Sequence, residues 1–283
     1  MEAELTLRES AEQLRVHYMT VYRYVRLGLL RADKVKGTWR VLASDLDAFR
    51  ESASLQLVAD QGGRRRAPWA ERLESRLVAG DGQGSWGVSE AALASGATLE
   101  DVYLALLTPA LQSIGRRRQR GELDVAVERR AAVIAFRLVG RLGPRFTRRG
   151  RNRGAVIVGS AEGETHAIAV AMTADILRHH GWDVSDLGAD VPSSAFASMT
   201  RMIDAVVSVG LWVSAATSAA LDSTAAAIAG IRETGSSALV VVGGDATLSQ
   251  DHAVALGADR WVADARQFVE LLDSIELGVV AVG

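Results

Sequence analysis

The chain has 283 residues, 48% of them hydrophobic and 23% charged, enough for two or three domains that each bury a core. Its longest apolar runs, such as residues 238–242, are strand-sized and far short of the roughly 20 residues a membrane span needs, and no secretory leader is evident, so a cytoplasmic protein that avoids membranes is expected. The absence of cysteine excludes disulfides, thiolate metal sites and cysteine nucleophiles, and a net charge of -2 conceals a division: residues 1–66 carry 12 Lys and Arg against 9 Asp and Glu, residues 67–153 carry 15 against 9, and residues 154–283 carry 5 against 16.

The basic front half suits a polyanionic partner, and the acidic back half a different task. In residues 1–50, Leu7, Ala11 and Leu14, then Val21, Tyr24 and Val25, fall at helical spacing on either side of a break, which predicts helix, turn, helix. Thr6 and Glu9 stand at capping-box spacing, so the first helix is expected to begin there, and Gly28 closes the second. Residues 32–42 alternate around Gly37 as a small hairpin does, and Ser44 is placed to cap a short helix containing Leu46 and Phe49. The sum is a winged helix-turn-helix.

Residues 51–68, with the run Gln61-Gly-Gly-Arg-Arg-Arg, cannot build a core and read as a basic linker. Residues 69–144 are helical in pattern, with helices expected at 70–78, 89–93, 99–114 and 125–142 between Gly-rich turns, a four-helix bundle. A second basic linker is read at 145–153. Residues 154–283 alternate short buried strands with Ala-rich helices five times, which predicts an α/β, doubly wound, Rossmann-like parallel sheet of about five strands with ligands at the strands' carboxyl ends.

His17, Thr20, Tyr22, Arg23 and Arg26 lie on or near one face of the second helix, and Lys34, Lys36, Thr38 and Arg40 on the wing, side chains suited to phosphates and base edges of double-stranded DNA. The stretch Thr20-Val-Tyr-Arg-Tyr-Val-Arg-Leu-Gly-Leu-Leu, followed by Gly37-Thr-Trp-Arg and Ser44-Asp-Leu-Asp-Ala-Phe, resembles the excisionase-like and MerR-type winged helices. The arginine run 116–118 with Arg120 reads as a solvated face or an auxiliary anion contact, His179, His180 and His252 lack metal-ligand spacing, and Ser160 and Ser214 lack a base at triad spacing, so the chain is read as not an enzyme.

Gly163-Glu-Thr-His-Ala-Ile-Ala follows the first strand at a turn that opens a helix, and resembles the cobalamin-binding signature Asp-x-His-x-x-Gly. The resemblance puts His166 in the place of the lower cobalt ligand and Glu164 in that of the carboxylate behind it. Asp186-Leu-Gly-Ala-Asp-Val-Pro, Val209-Gly-Leu211 and Gly243-Gly244 match further segments in register, and imply that the glycine pair lets the nucleotide tail approach the backbone. Ala169 stands where the signature has glycine, and Val209 where a Ser-x-Leu motif has its hydroxyl. Leu107-Thr-Pro-Ala-Leu, Ile114-Gly and Gly121-Glu-Leu-Asp-Val-Ala-Val-Glu128 resemble the helical cap of methionine synthase and of the light-responsive, B12-dependent repressors; in the latter a Trp and a Glu-His pair face the adenosyl group, and here Arg118 and Arg129 stand for the Trp and His while Glu128 remains.

The resemblance implies a transcriptional regulator whose bundle and sheet hold cobalamin or a related ligand between them and thereby control oligomerisation, as a dimer or tetramer, or DNA affinity. Two alternatives stay open on the sequence. The sheet domain has lost cobalamin and takes another small molecule or a protein partner, or the chain is a corrinoid methyl carrier.

Overall fold

A computed structural model describes residues 4–14, 21, 22, 25, 30, 32–35, 38–46, 68–147, 152–203, 205–213, 218–244, 246, 247 and 249–276. The chain divides into two compact units, Met1–Leu138 and Val139–Gly283.

In the first unit, strand β1 (Glu4–Thr6) leads into helix α1 (Leu7–Leu14), and β2 (Asp33–Val35) and β3 (Thr38–Leu42) form the hairpin expected around Gly37. β1 pairs antiparallel with β3, Leu5 opposite Val41, giving the order β1-β3-β2. Leu7, Ala11, Val21, Val25, Leu30, Val41 and Leu46 close one buried cluster, so α1, the described residues 21, 25 and 30, and the wing share a core. The capping box is formed: the Glu9 amide donates to Thr6 Oγ1 at 3.2 Å, and the Thr6 amide donates to Glu9 Oε2 at 2.7 Å. Thr6→Ala is expected to cost about 1 kcal/mol of head stability in urea unfolding.

The same contacts give the head a pH dependence. The Thr6 amide and hydroxyl, and more weakly Arg40, hold the Glu9 carboxyl below the ordinary value of 4.5. The stabilisation is therefore fully present above 4.5 and is lost as pH falls through the lower folded value. Glu9→Gln should flatten this acid limb in urea titrations at stepped pH.

Further along this unit, α2 (Trp69–Ala79) ends at Gly80 and α3 (Gly82–Ala94) follows at once, capped by Asp81, whose Oδ1 accepts from the Gly84 amide at 2.7 Å. The glycine-rich stretch read as a turn before residue 89 is thus helix. Ser85, Gly87 and Ser89 are buried there, and such small side chains let a helix pack closely despite poor intrinsic propensity. Thr98 and Asp101 cap the next helical stretch, which begins as α4 (Leu99–Asp101), passes through a π-helical segment (Val102–Leu107) and continues as α5 (Thr108–Gln119). α6 (Val125–Leu142) spans the division between the units. Within the first unit Arg117 reaches Glu74 of α2 at 2.8 Å, and Arg130 donates to the Val78 carbonyl at the end of α2 at 2.7 Å.

The second unit is a five-stranded parallel sheet with the order β5-β4-β6-β7-β8. Its elements are β4 (Ala155–Gly159), α7 (Ala167–His179), β5 (Asp183–Asp186), α8 (Ser193–Met202), β6 (Val206–Trp212), α9 (Ser218–Glu233), β7 (Leu239–Gly243), α10 (Gln250–Ala255), β8 (Arg260–Val262) and α11 (Ala265–Glu276). The inner strands are buried on both faces, as a sheet covered by helices on each side requires. Ile157, Val209, Leu211, Val240 and Val242 pack with Phe196 of α8, Ile228 of α9 and Ala253 of α10 on one face. α7 and α11 pack together over the other. Phe146, in the stretch read as a basic linker, is buried, and its carbonyl meets His179 Nδ1 at 3.3 Å.

Candidate functional site

After β4 the chain makes a tight loop, residues 160–166, before α7. Three backbone bonds anchor that loop to residues 188–191 beyond β5: Ser160 N to Gly188 O at 2.9 Å, Val191 N to Ser160 O at 3.0 Å and Asp190 N to Glu164 O at 2.8 Å. Asp190 Oδ1 also accepts from the Gly163 amide at 2.8 Å. Gly163 has φ +88, a left-handed conformation that a side chain disfavours, and this turn drives the Glu164 side chain inward.

Glu164 is completely buried, and its Oε1 accepts the backbone amide of His166 at 2.9 Å and also meets Nδ1 of the His166 ring. The imidazole itself is 62% exposed. A carboxylate on Nδ1 fixes the tautomer and aims Nε2, the nitrogen across the ring, outward from the sheet, the arrangement that supports a metal-ligating histidine. Among the described residues no three His, Asp or Glu side chains gather as a protein-built metal site needs. A single imidazole backed by a buried carboxylate suits a metal that brings its other ligands with it, as one in a macrocycle does.

The sheet order places the topological switch between β4 and β6, and Ser160 follows β4 there while Trp212 ends β6. Ser160 is 1% exposed and its Oγ has no hydrogen-bond partner among the described residues, whereas the buried Ser208 hydroxyl donates to Leu239 O at 2.7 Å. An orphaned hydroxyl at a ligand edge is what a polar ligand group would satisfy.

Val209 and Leu211 are placed differently from the expectation. Val209 pairs with Ile157 and Val240 in mid-strand, and both residues are fully buried in the cluster under α8 and α9. They are core, because the parallel register carries β6 on to Trp212 before it reaches the carboxyl edge. Trp212 escaped the sequence reading; its one signal was a large aromatic residue near the end of an apolar run, two positions after Gly210. Ala169 lies half-buried in the first turn of α7, its carbonyl taking the Thr173 hydroxyl at 2.9 Å.

Gly243 and Gly244 end β7, and each answers to the chain's own atoms. A Cβ on Gly243 would lie 3.2 Å from the Trp212 ring, and one on Gly244, at φ +103, would lie 2.5 Å from Val213 O.

In the first unit, Arg118 pairs with Glu128 at 2.9 Å and Arg129 is exposed. With the Arg118 side chain 44% exposed, this is a surface ion pair of small energetic weight. Of the DNA-facing set, His17, Thr20, Arg23, Arg26 and Lys36 lie outside the described residues, and the backbones of Lys34 and Thr38 belong to the wing strands. Tyr22 is half-buried against the core of the head rather than standing clear of it, and Arg40 lies on β3 between Thr6 and Asp33. Among the described residues no helix is long and apolar enough to cross a membrane.

Three family models match the chain: a helix-turn-helix domain over residues 4–54, a B12 binding domain of one type over 69–142 and a B12 binding domain of another over 154–272. A corrinoid protein of Desulfitobacterium hafniense is 25% identical over 214 residues, covering 72% of this chain and 96% of that one. The trimethylamine corrinoid protein 1 of Methanosarcina acetivorans is 27% identical over 195 residues, covering 67% and 88%. Among solved structures, the monomethylamine corrinoid protein of Methanosarcina barkeri superposes with a TM-score of 0.65 at 19% identity, over 75% of this chain and all of that one, a likeness of fold. The chain therefore joins an N-terminal helix-turn-helix domain to a helical bundle and a Rossmann-like sheet of the B12-binding kind.

Proposed function

We propose that this protein is a DNA-binding transcriptional regulator whose α/β unit binds a corrinoid through His166, and whose hold on DNA changes when it does. The observation that carries the reading is the exposed His166 imidazole held by the buried Glu164 carboxylate at the carboxyl edge of the sheet, in a chain that opens with a helix-turn-helix domain. A bound corrinoid would supply a cobalt centre able to take an imidazole nitrogen. His166 would offer Nε2 to it, while Glu164 orients the ring and the Gly163 turn and Asp190 hold the loop.

The head is read as MerR- or excisionase-like, with Arg23 and Arg26 at the major groove and Lys34, Lys36, Thr38 and Arg40 on the backbone, in a dimer or tetramer that spans half-sites about one helical turn apart. Ligand alters DNA binding only in so far as it prefers one arrangement of the heads. Arg118 and Arg129 replace the aromatic contacts of the light-responsive relatives, so the sensing is assigned to ligand binding without photochemistry.

DNA selected from a random pool, then titrated by fluorescence anisotropy with and without hydroxocobalamin, tests this reading. A shift in affinity of about fivefold or more is expected, and R23E/R26E should abolish binding; affinity indifferent to the corrinoid would sink the sensor assignment. The likeness to corrinoid proteins favours a second reading, a methyl carrier, which predicts that the selection recovers no DNA while the corrinoid still binds.

A further inference from the structure

Among the described residues, the end of β6 at the topological switch, where a bound ligand would reach below the sheet edge, is taken by a buried tryptophan, Trp212. Successive residues of β6 alternate between faces: Val209, Leu211 and Val213 join the cluster under α8 and α9, which places Gly210 and Trp212 on the face covered by α7 and α11. A Cβ on Gly210 would meet Phe268 of α11 at 2.7 Å and the Trp212 ring at 3.5 Å, and one on Gly243 would meet the same ring at 3.2 Å. The two glycines thus clear a floor across β6 and β7 on which the indole lies. Phe268 closes over it, with ring centroids 5.8 Å apart, and Trp212 is left only 5% exposed. Gly159 of β4 pairs with Leu211, so Ser160 follows β4 beside the Trp212 end of the neighbouring strand.

Resting on the corrinoid reading above, we infer that Trp212 bars the crevice to the ligand's nucleotide tail, so that the protein holds a corrinoid by its ring and by His166 alone. A cobalamin whose lower position is taken by His166 has its benzimidazole nucleotide displaced and must house it in a crevice or leave it in solvent. Trp212 leaves it in solvent. The protein therefore takes tailless cobinamides at least as well as complete cobalamins, and the class of ligand widens to incomplete corrinoids.

Absorbance titrations of the full chain with hydroxocobalamin and with diaquacobinamide measure this directly. Diaquacobinamide is expected to bind at least as tightly as hydroxocobalamin, since the tail gains no contact on the protein and only the cobalamin must give up a benzimidazole–cobalt bond. Trp212→Ser, with its fold checked by circular dichroism, should open the crevice and shift the ratio of the two dissociation constants towards hydroxocobalamin by about tenfold or more. A wild-type preference for hydroxocobalamin beyond threefold would overturn the inference while leaving the corrinoid reading intact. Binding of neither compound would remove the corrinoid reading, and this inference with it.

Discussion

Replacing His166 by alanine should abolish the spectral change that follows imidazole coordination to cobalt, and weaken hydroxocobalamin binding by about tenfold or more. The variant is a clean probe because little of the fold depends on the ring. The side chain is 62% exposed, and the bond from the backbone amide of residue 166 to Glu164 Oε1 survives the substitution. Glu164→Gln tests the other half of the pair. It keeps the shape but removes the charge that raises the ligating nitrogen's basicity, so an affinity loss of roughly tenfold is expected, with coordination still visible at saturating ligand. An unchanged spectrum in His166→Ala would place the cobalt elsewhere, or nowhere, on this chain.

The largest expected effect on stability lies at Phe268. Its ring is fully buried, covers Gly210 and leans on Trp212. Phe268→Ala removes a large apolar side chain and leaves a cavity whose floor, a strand pair built on glycines, cannot collapse to fill it. A loss of about 3–5 kcal/mol is expected in urea unfolding followed by tryptophan fluorescence, a large fraction of the stability of an ordinary domain. A loss below about 1 kcal/mol would mean that α11 is not a structural wall of the sheet. Phe268→Leu, which keeps most of the volume, should recover the greater part.

The features foreseeable from sequence were those fixed by neighbours in the chain. Thr6 and Glu9 are three residues apart, and their capping box follows from that spacing; the wing hairpin follows from alternation around Gly37. Strand β1 escaped, since three residues offer no period and its partner β3 lies some 35 residues away. The start of α3 escaped for the opposite reason. A glycine-rich composition signals a turn, and only burial of Ser85, Gly87 and Ser89 shows why the helix is kept. The fold of residues 155–276 was readable because buried strands alternate with helices. The location of each strand's carboxyl end was not, because β6 is buried almost throughout and its run of apolar residues carries no internal mark. That is how Val209 came to stand for an edge position that belongs to Trp212, and why the use of Gly210 and Gly243 emerges only when adjacent strands are aligned.

The π-helical segment Val102–Leu107 carries a consequence of its own. Such a segment is equivalent to one residue inserted into a regular helix, and a residue turns the helix by about 100°. Every side chain of α5 is therefore out of phase with its counterpart on an uninterrupted helix, and the reach of Arg117 to Glu74 and of Arg118 to Glu128 depends on that phase. Deleting one residue between 102 and 107 would rotate the arginine run away from both carboxylates without altering a single charge. By the same geometry, a relative that lacks the insertion presents a neighbour of Arg118 at the corresponding point on its surface.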